Sequence, residues 1–121
     1  MLFTESIKLN KEFRKLYYKG KTFGSPFIVL YYLPSKSLGE KNTLGITVST
    51  KVGNAVKRNK IRRWIKESYR AFEPNLKAGY TMVILARKNA GEDADFWDIK
   101  RSLGGMLKKA NLFKPLMNNE D

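Results

Sequence analysis

The chain has no cysteine and no histidine among its 121 residues. The first absence removes disulfide frameworks, thiolate metal sites and thiol nucleophiles. The second removes His-based triads, His-ligated zinc and the imidazole general base. An enzyme built from what remains would have to do its chemistry with unusual parts, and self-contained hydrolysis is disfavoured. Acidic residues are scarce as well: 11 Asp and Glu stand against 24 Lys and Arg, a formal net charge of +13. That excess calls for a polyanionic partner or an acidic membrane surface. Long apolar runs are missing too. Phe27 to Leu33 and Met82 to Ala86 fall far short of the roughly 18 residues that a membrane span needs. The N-terminus shows no basic segment followed by an apolar run and small cleavage residues. A soluble, cytoplasmic chain without a membrane partner is therefore expected.

What is present fits one domain. The 42% of hydrophobic residues are enough for one core and not for two, so a single domain over residues 1–121 is expected, with a frayed polar tail at 118–121. No internal repeat or low-complexity segment interrupts it. Asn10 is placed to cap a first helix that runs through Tyr18 and stops at Gly20, with Phe13, Leu16 and Tyr17 on one stripe. Phe27 to Leu33, ended by Pro34, reads as a strand. Thr43 to Ser49 alternates apolar with small or polar residues, a half-buried strand. Two strands joined by a short polar link suggest an antiparallel hairpin or meander. From Asn54 to about Phe72 the period is helical, and Pro74 closes it. Tyr80 to Ala86 is too continuously apolar for an exposed edge. Asp95 starts a last helix with Phe96, Ile99, Leu103, Met106 and Ala110 on one face, although Gly104 and Gly105 cost it roughly 1 kcal/mol each. The sum is an α+β domain with helices on one face of one sheet.

The informative stretch runs from Lys51 to Arg70, with eight basic residues and one acid. On a helical wheel Arg58, Arg62, Lys66, Arg70 and Arg63 share an arc of about 140°, while Ile61, Ile65 and Phe72 lie on the other side. A solvated charged face is the plainest explanation of such a run. Against it, these cations lack acids to pair along the helix, and their repulsion costs stability unless a polyanion relieves it. Half of the eight are Arg, whose planar fork suits phosphate oxygens and base edges. A membrane-surface helix would need its apolar face free, and here the core needs that face. Nucleic acid is the partner that remains.

The residues Lys51-Val52-Gly53-Asn54-Ala55-Val56, then Arg58-Asn59, Arg62-Arg63 and Lys66-Glu67, resemble the signature of the protein subunit of bacterial ribonuclease P. Phe13-Arg14, Tyr17, Gly20-Lys21 and the run from Phe27 to Tyr32 resemble it too, so the likeness covers nearly the whole chain. Lys60 departs from it, standing where the family usually has the second Arg of an Arg-Asn-Arg motif. That substitution keeps charge and loses a bidentate donor.

The resemblance implies a single-domain α/β sandwich of order αβββαβα, one four-stranded sheet of the ribosomal protein S5 domain 2 type, with a left-handed crossover around the basic helix. It also implies a division of labour. The RNA subunit, ribonuclease P RNA, hydrolyses precursor tRNA with Mg²⁺ to leave a mature 5′ end, and the protein holds no cofactor or catalytic metal of its own. No DNA partner is expected. Carried over by position, the RNA-subunit contacts are Lys51, Gly53, Asn54, Arg58, Asn59, Lys60, Arg62, Arg63 and Lys66. Gly53 would bring main-chain N–H groups near phosphate, and Asn54 is equally well placed as a helix N-cap. The cleft for the single-stranded 5′ leader would be Phe13, Tyr17 and Tyr31, with Lys11, Arg14 and Lys15 at its mouth. Phe13 and Tyr17 have a second reading, simple packing of the first helix on the sheet. Arg87 and Lys88 form a further basic pair at a strand end. Glu92, Asp93, Asp95 and Asp98 resemble a carboxylate cluster, which capping by Asp95 and the helix dipole explain without a metal. A structural RNA-binding protein of ribosomal type would share the charge, size and missing histidine, though not the Gly-Asn-Ala-Val-x-Arg-Asn spacing. A DNA-binding helix-turn-helix needs two short helices joined by a tight turn, whereas the basic helix here follows a strand.

Overall fold

In the computed structural model, which describes residues 1–115, five strands make one sheet in the order β1-β4-β5-β3-β2. They are β1 (Thr4–Ser6), β2 (Lys21–Gly24), β3 (Ile28–Pro34), β4 (Asn42–Thr47) and β5 (Tyr80–Ala86). The tail expected at 118–121 lies outside the described residues. β5 takes the centre, parallel to β4 and antiparallel to β3. Its Met82, Val83 and Ile84 are all buried, as a strand covered on both faces and both edges requires.

This placement overturns the hairpin expected between β3 and β4. The two do not pair, because β5 inserts between them and satisfies both of their inner edges. The hairpin that does form is β2–β3, with Lys21 opposite Tyr32 and Gly24 opposite Val29. Ser25 fastens its turn: the Ser25 N–H donates to the Ile28 carbonyl at 2.9 Å, and its Oγ accepts from the Ile28 N–H at 3.1 Å. The sheet therefore has five strands instead of four. The additional one is β1, three residues parallel to β4 at the edge.

Among the described residues four α-helices accompany the sheet: α1 (Asn10–Lys19), α2 (Ala55–Phe72), α3 (Lys88–Glu92) and α4 (Phe96–Lys109). With β1 and α3 set aside, the order is α1, three strands, α2, β5, α4, the αβββαβα order of the resemblance. Asn10 is not a cap. Leu9 occupies that position with extended backbone, and no side chain caps α1. α2 is capped by Asn54, whose Oδ1 accepts from the Lys57 N–H at 2.9 Å. α4 opens on a capping box, with Asp95 Oδ1 accepting from the Asp98 N–H at 2.8 Å and Asp98 Oδ2 from the Asp95 N–H at 3.0 Å. Among the described residues no helix is long and apolar enough to cross a membrane.

The helices lie on both faces of the sheet, not one. Ile28, Leu30 and Tyr32 of β3, Leu44 of β4, and Met82, Ile84 and Ala86 of β5 face α2 and α4. There they meet Ile61, Ile65 and Tyr69 of α2 and Ile99, Leu103 and Leu107 of α4. The alternate residues face α1, whose one fully buried side chain is Leu16. The strand period of two sends neighbours to opposite faces, so a strand buried throughout needs a cover on each side.

A buried carboxylate holds the N-terminal edge. Glu73, fully buried, accepts from the Leu2 N–H at 2.7 Å and the Phe3 N–H at 3.1 Å. Burial pushes its pKa up, but hydrogen bonds from Thr4 and from these two amides outweigh burial and hold it below the ordinary carboxylate value. Beside it the Tyr69 hydroxyl lies 2.8 Å from Thr4 Oγ1.

Candidate nucleic-acid interface

The turn before α2 sets the first basic side chain. Gly53 has φ 154°, in the range that favours glycine, and its carbonyl accepts from Arg58 Nη1 at 2.9 Å. Its own N–H donates to the Thr50 carbonyl at 3.3 Å. Asn54 uses its Oδ1 as the cap. Along the helix, Arg62 Nη1 donates to Asn59 Oδ1 at 3.1 Å. Lys60 Nζ sits 5.1 Å from the Trp64 ring centre. Arg63 and Glu67 approach at 3.8 Å with both side chains more than half exposed, an ion pair worth little. Lys66 and Arg70 are exposed. One carboxylate therefore serves the whole row, and the positive potential of this face stands.

Arg62, Lys66 and Arg70 form the wall of a cavity of about 450 Å³ whose other residues include Ile7, Phe13, Gly45 and Ile46. It lies where β4 runs on past the last residue of β1. Glu5 also lines it but is paired with Lys41 at 3.0 Å, so the apolar residues and the cationic wall suit a ligand with a flat face and negative charge. Phe13 is half-buried here, its ring against Gly45. A Cβ added at Gly45 would stand 2.5 Å from that ring, so the glycine is what lets the phenyl lie on the sheet. One turn on, Tyr17 meets Tyr31 edge-on at 4.9 Å, and its hydroxyl lies 3.3 Å from Thr47 Oγ1. Tyr17 is 40% exposed. The stripe read from the sequence thus divides: Leu16 packs the helix, Phe13 lies half-buried at the cavity, and Tyr17 remains accessible beside Tyr31.

The other sequence-selected residues distribute unevenly. Lys51, Arg87 and Lys88 share a groove of about 520 Å³ with Leu85 at the end of β5. Lys88 also approaches Glu92 at 4.0 Å. Lys15 lines a separate groove with Glu12, Leu33 and Thr81, away from the aromatic row, and Lys11 and Arg14 are exposed on α1. Among the acids, Asp95 and Asp98 are occupied by the capping box.

A profile of the ribonuclease P family matches residues 1–111. The chain belongs to the ribonuclease P protein family. It is 44% identical over 108 residues to the ribonuclease P protein component of Clostridium botulinum (strain Langeland / NCTC 10281 / Type F), covering 88% of this chain and 95% of that one. Against the protein of the same name from Clostridioides difficile (strain 630) it is 40% identical over 110 residues, covering 90% and 94%. Its fold is similar to the solved RNase P protein of Staphylococcus aureus, with TM-score 0.81, 36% identity, and coverage of 90% of this chain and 97% of that chain. For the RNase P protein from Thermotoga maritima the values are 0.76, 29%, 87% and 96%.

Within this member of the ribonuclease P family, sequence reasoning passed over Arg70 as a site residue, although its spacing of four from Lys66 continues the row Arg58, Arg62, Lys66. Ile7 and Ile46 left no signal, since only the pairing of β1 with β4 brings them to the cavity. Lys60, the family departure, has its ammonium over an indole, a contact an ammonium makes readily.

Proposed function

We propose that this chain is the protein component of ribonuclease P. It binds the catalytic RNA subunit along Lys51, Gly53, Asn54, Arg58, Asn59, Lys60, Arg62, Arg63 and Lys66, and takes the 5′ leader of precursor tRNA on Phe13, Tyr17 and Tyr31. The carrying observation is that Phe13 of α1 and the α2 cations Arg62, Lys66 and Arg70 line one cavity at the β1 edge of the sheet, with Tyr17, edge-on to Tyr31, one turn further along α1. Stacking on aromatic faces is tolerant of base identity, which suits leaders of any sequence. The chemistry belongs to the RNA with its Mg²⁺. The protein has no histidine or cysteine to supply a base or nucleophile, and its part is to hold two RNAs in one orientation.

The test pairs two titrations with a melt. Phe13→Ala and Tyr17→Ala should each weaken holoenzyme binding of precursor tRNA by about 1–3 kcal/mol, while mature tRNA, which lacks the leader, is unaffected. Tyr17→Ala should leave the denaturant melt in place because its ring is substantially exposed. Equal losses for the two tRNAs would overturn the leader assignment. Absence of any stimulation of a bacterial ribonuclease P RNA at low Mg²⁺ would overturn the function itself.

A further inference from the structure

The exposed face of α4 has features that neither the leader row nor the α2 row explains. Trp97 is 59% exposed, a large apolar surface left in water. It is also held in place, with Phe96 edge-on at 5.2 Å and Lys100 Nζ 5.6 Å from its ring centre. The same ammonium lies 5.9 Å from the ring of Phe72, so it ties the indole to α2. Arg101 and Lys108 follow Trp97 on one side of the helix, four and eleven positions on. Arg101 is oriented by Asp98 at 2.8 Å, and Lys108 is exposed. Gly105, exposed, has nothing within 4 Å of where a Cβ would stand. The stripe carries one exposed aromatic at its N-terminal end, followed by Arg101, which Asp98 pairs, and Lys108.

We infer that this face of α4 is a second RNA contact, in which Trp97 stacks on a base of an unpaired segment of the RNA subunit and Lys100, Arg101 and Lys108 meet its phosphates. The inference rests on the proposed assembly with that RNA. Asp95 and Asp98 beside the indole are taken up by the capping box and Arg101, so Lys100 and Lys108 favour an anionic occupant, and an exposed indole selects one with a free π-face, which a duplex does not offer. A membrane surface would need an apolar helix face, but Ile99, Leu103 and Leu107 are buried in the core. Position selects the source. α4 packs against α2 in the same layer, on the side of the sheet where the RNA subunit is gripped, whereas Phe13, Tyr17 and Tyr31 lie on the other face.

Tryptophan emission reads this contact directly. Ribonuclease P RNA titrated into the wild-type chain and into Trp97→Phe should quench the former more, the difference being the signal of Trp97. Trp97→Ala should weaken binding of the RNA subunit at least about fivefold with an unchanged thermal melt, and Trp97→Phe should keep most of the affinity. Normal RNA-subunit binding with unaltered Trp97 emission would overturn the inference and leave the proposed function standing. Quenching by a leader oligonucleotide, by a fully paired RNA or by polyglutamate as strong as that by the RNA subunit would overturn it in favour of the leader, of charge alone or of an acidic protein. Failure of the wild type to bind the RNA subunit would overturn both readings.

Discussion

Tyr69 is the largest fully buried side chain in the described residues, and it sits in a helix chosen for its cations. Burial pushes its pKa up to about 12 from an ordinary 10, against an opposing hydrogen bond with Thr4. A folded pKa above the unfolded one means that the neutral phenol stabilises the fold fully below pH 10, and that this contribution is lost as pH rises toward 12. Two pKa steps correspond to about 3 kcal/mol. Because lysines titrate in the same window, the measurement is the difference between wild type and Tyr69→Phe in unfolding free energy against pH. The wild type should fall more steeply above pH 10, and parallel curves would contradict the assignment. Glu73 has the opposite sign. Its lowered pKa gives stability above the carboxylate range that is lost in acid. Neither role was legible in the sequence, where Tyr69 reads as one more residue of a basic helix and Glu73 as the acid before Pro74. The partners that define them, Thr4 and the Leu2 and Phe3 amides, are some 65 to 71 positions away.

At the scale of elements, the two glycines within α4 behave differently although they are adjacent. A Cβ at Gly104 would stand 2.9 Å from the tip of the Phe72 ring, while at Gly105 it would meet nothing. Gly105→Ala should therefore raise stability by about 1 kcal/mol, the helix-propensity difference. Gly104→Ala should gain less, because the Phe72 ring must move to admit the methyl. Thermal melts of both variants check the ordering, and a Gly104→Ala protein as stable as Gly105→Ala would contradict this packing. The sequence identified α4 despite these glycines because its apolar stripe and the Asp95 cap are strong local signals. It identified α2 and β5 for the same kind of reason. β1, β2 and α3 escaped because elements of three to five residues have no room to show a period. The β3–β4 hairpin was misread by favouring sequence neighbours, when the two-faced apolar character of β5 was the evidence that a later strand would occupy the centre.

For the whole molecule, the net charge of +13 is concentrated where few acids answer it. About five or six phosphate contacts imply that the logarithm of RNA-subunit affinity falls with the logarithm of salt at a slope near −4 to −5. Replacing Arg62 and Lys66 by Glu should weaken binding and flatten that slope while the melt stays put, since both side chains are exposed. Arg58 is a poorer choice, being tied to the Gly53 carbonyl. A lowered melt would mean that the row supports the fold. The composition of this face was readable from residue spacing alone. That Phe13 from α1 shares a cavity with Arg62 from α2 was not, since it depends on β4 lying between β1 and β5. The strand order also bears on how the molecule is made. During synthesis at about 5–20 residues per second, β3 and β4 leave the ribosome before the strand that belongs between them. The nascent chain therefore carries two open strand edges until Ala86 has emerged, and Leu2 and Phe3, made some 70 positions earlier, wait for Glu73 before they can be secured. Production and closure run in opposite directions, so a chain interrupted before Tyr80 has the edges of a sheet without its middle, a template for pairing with other chains.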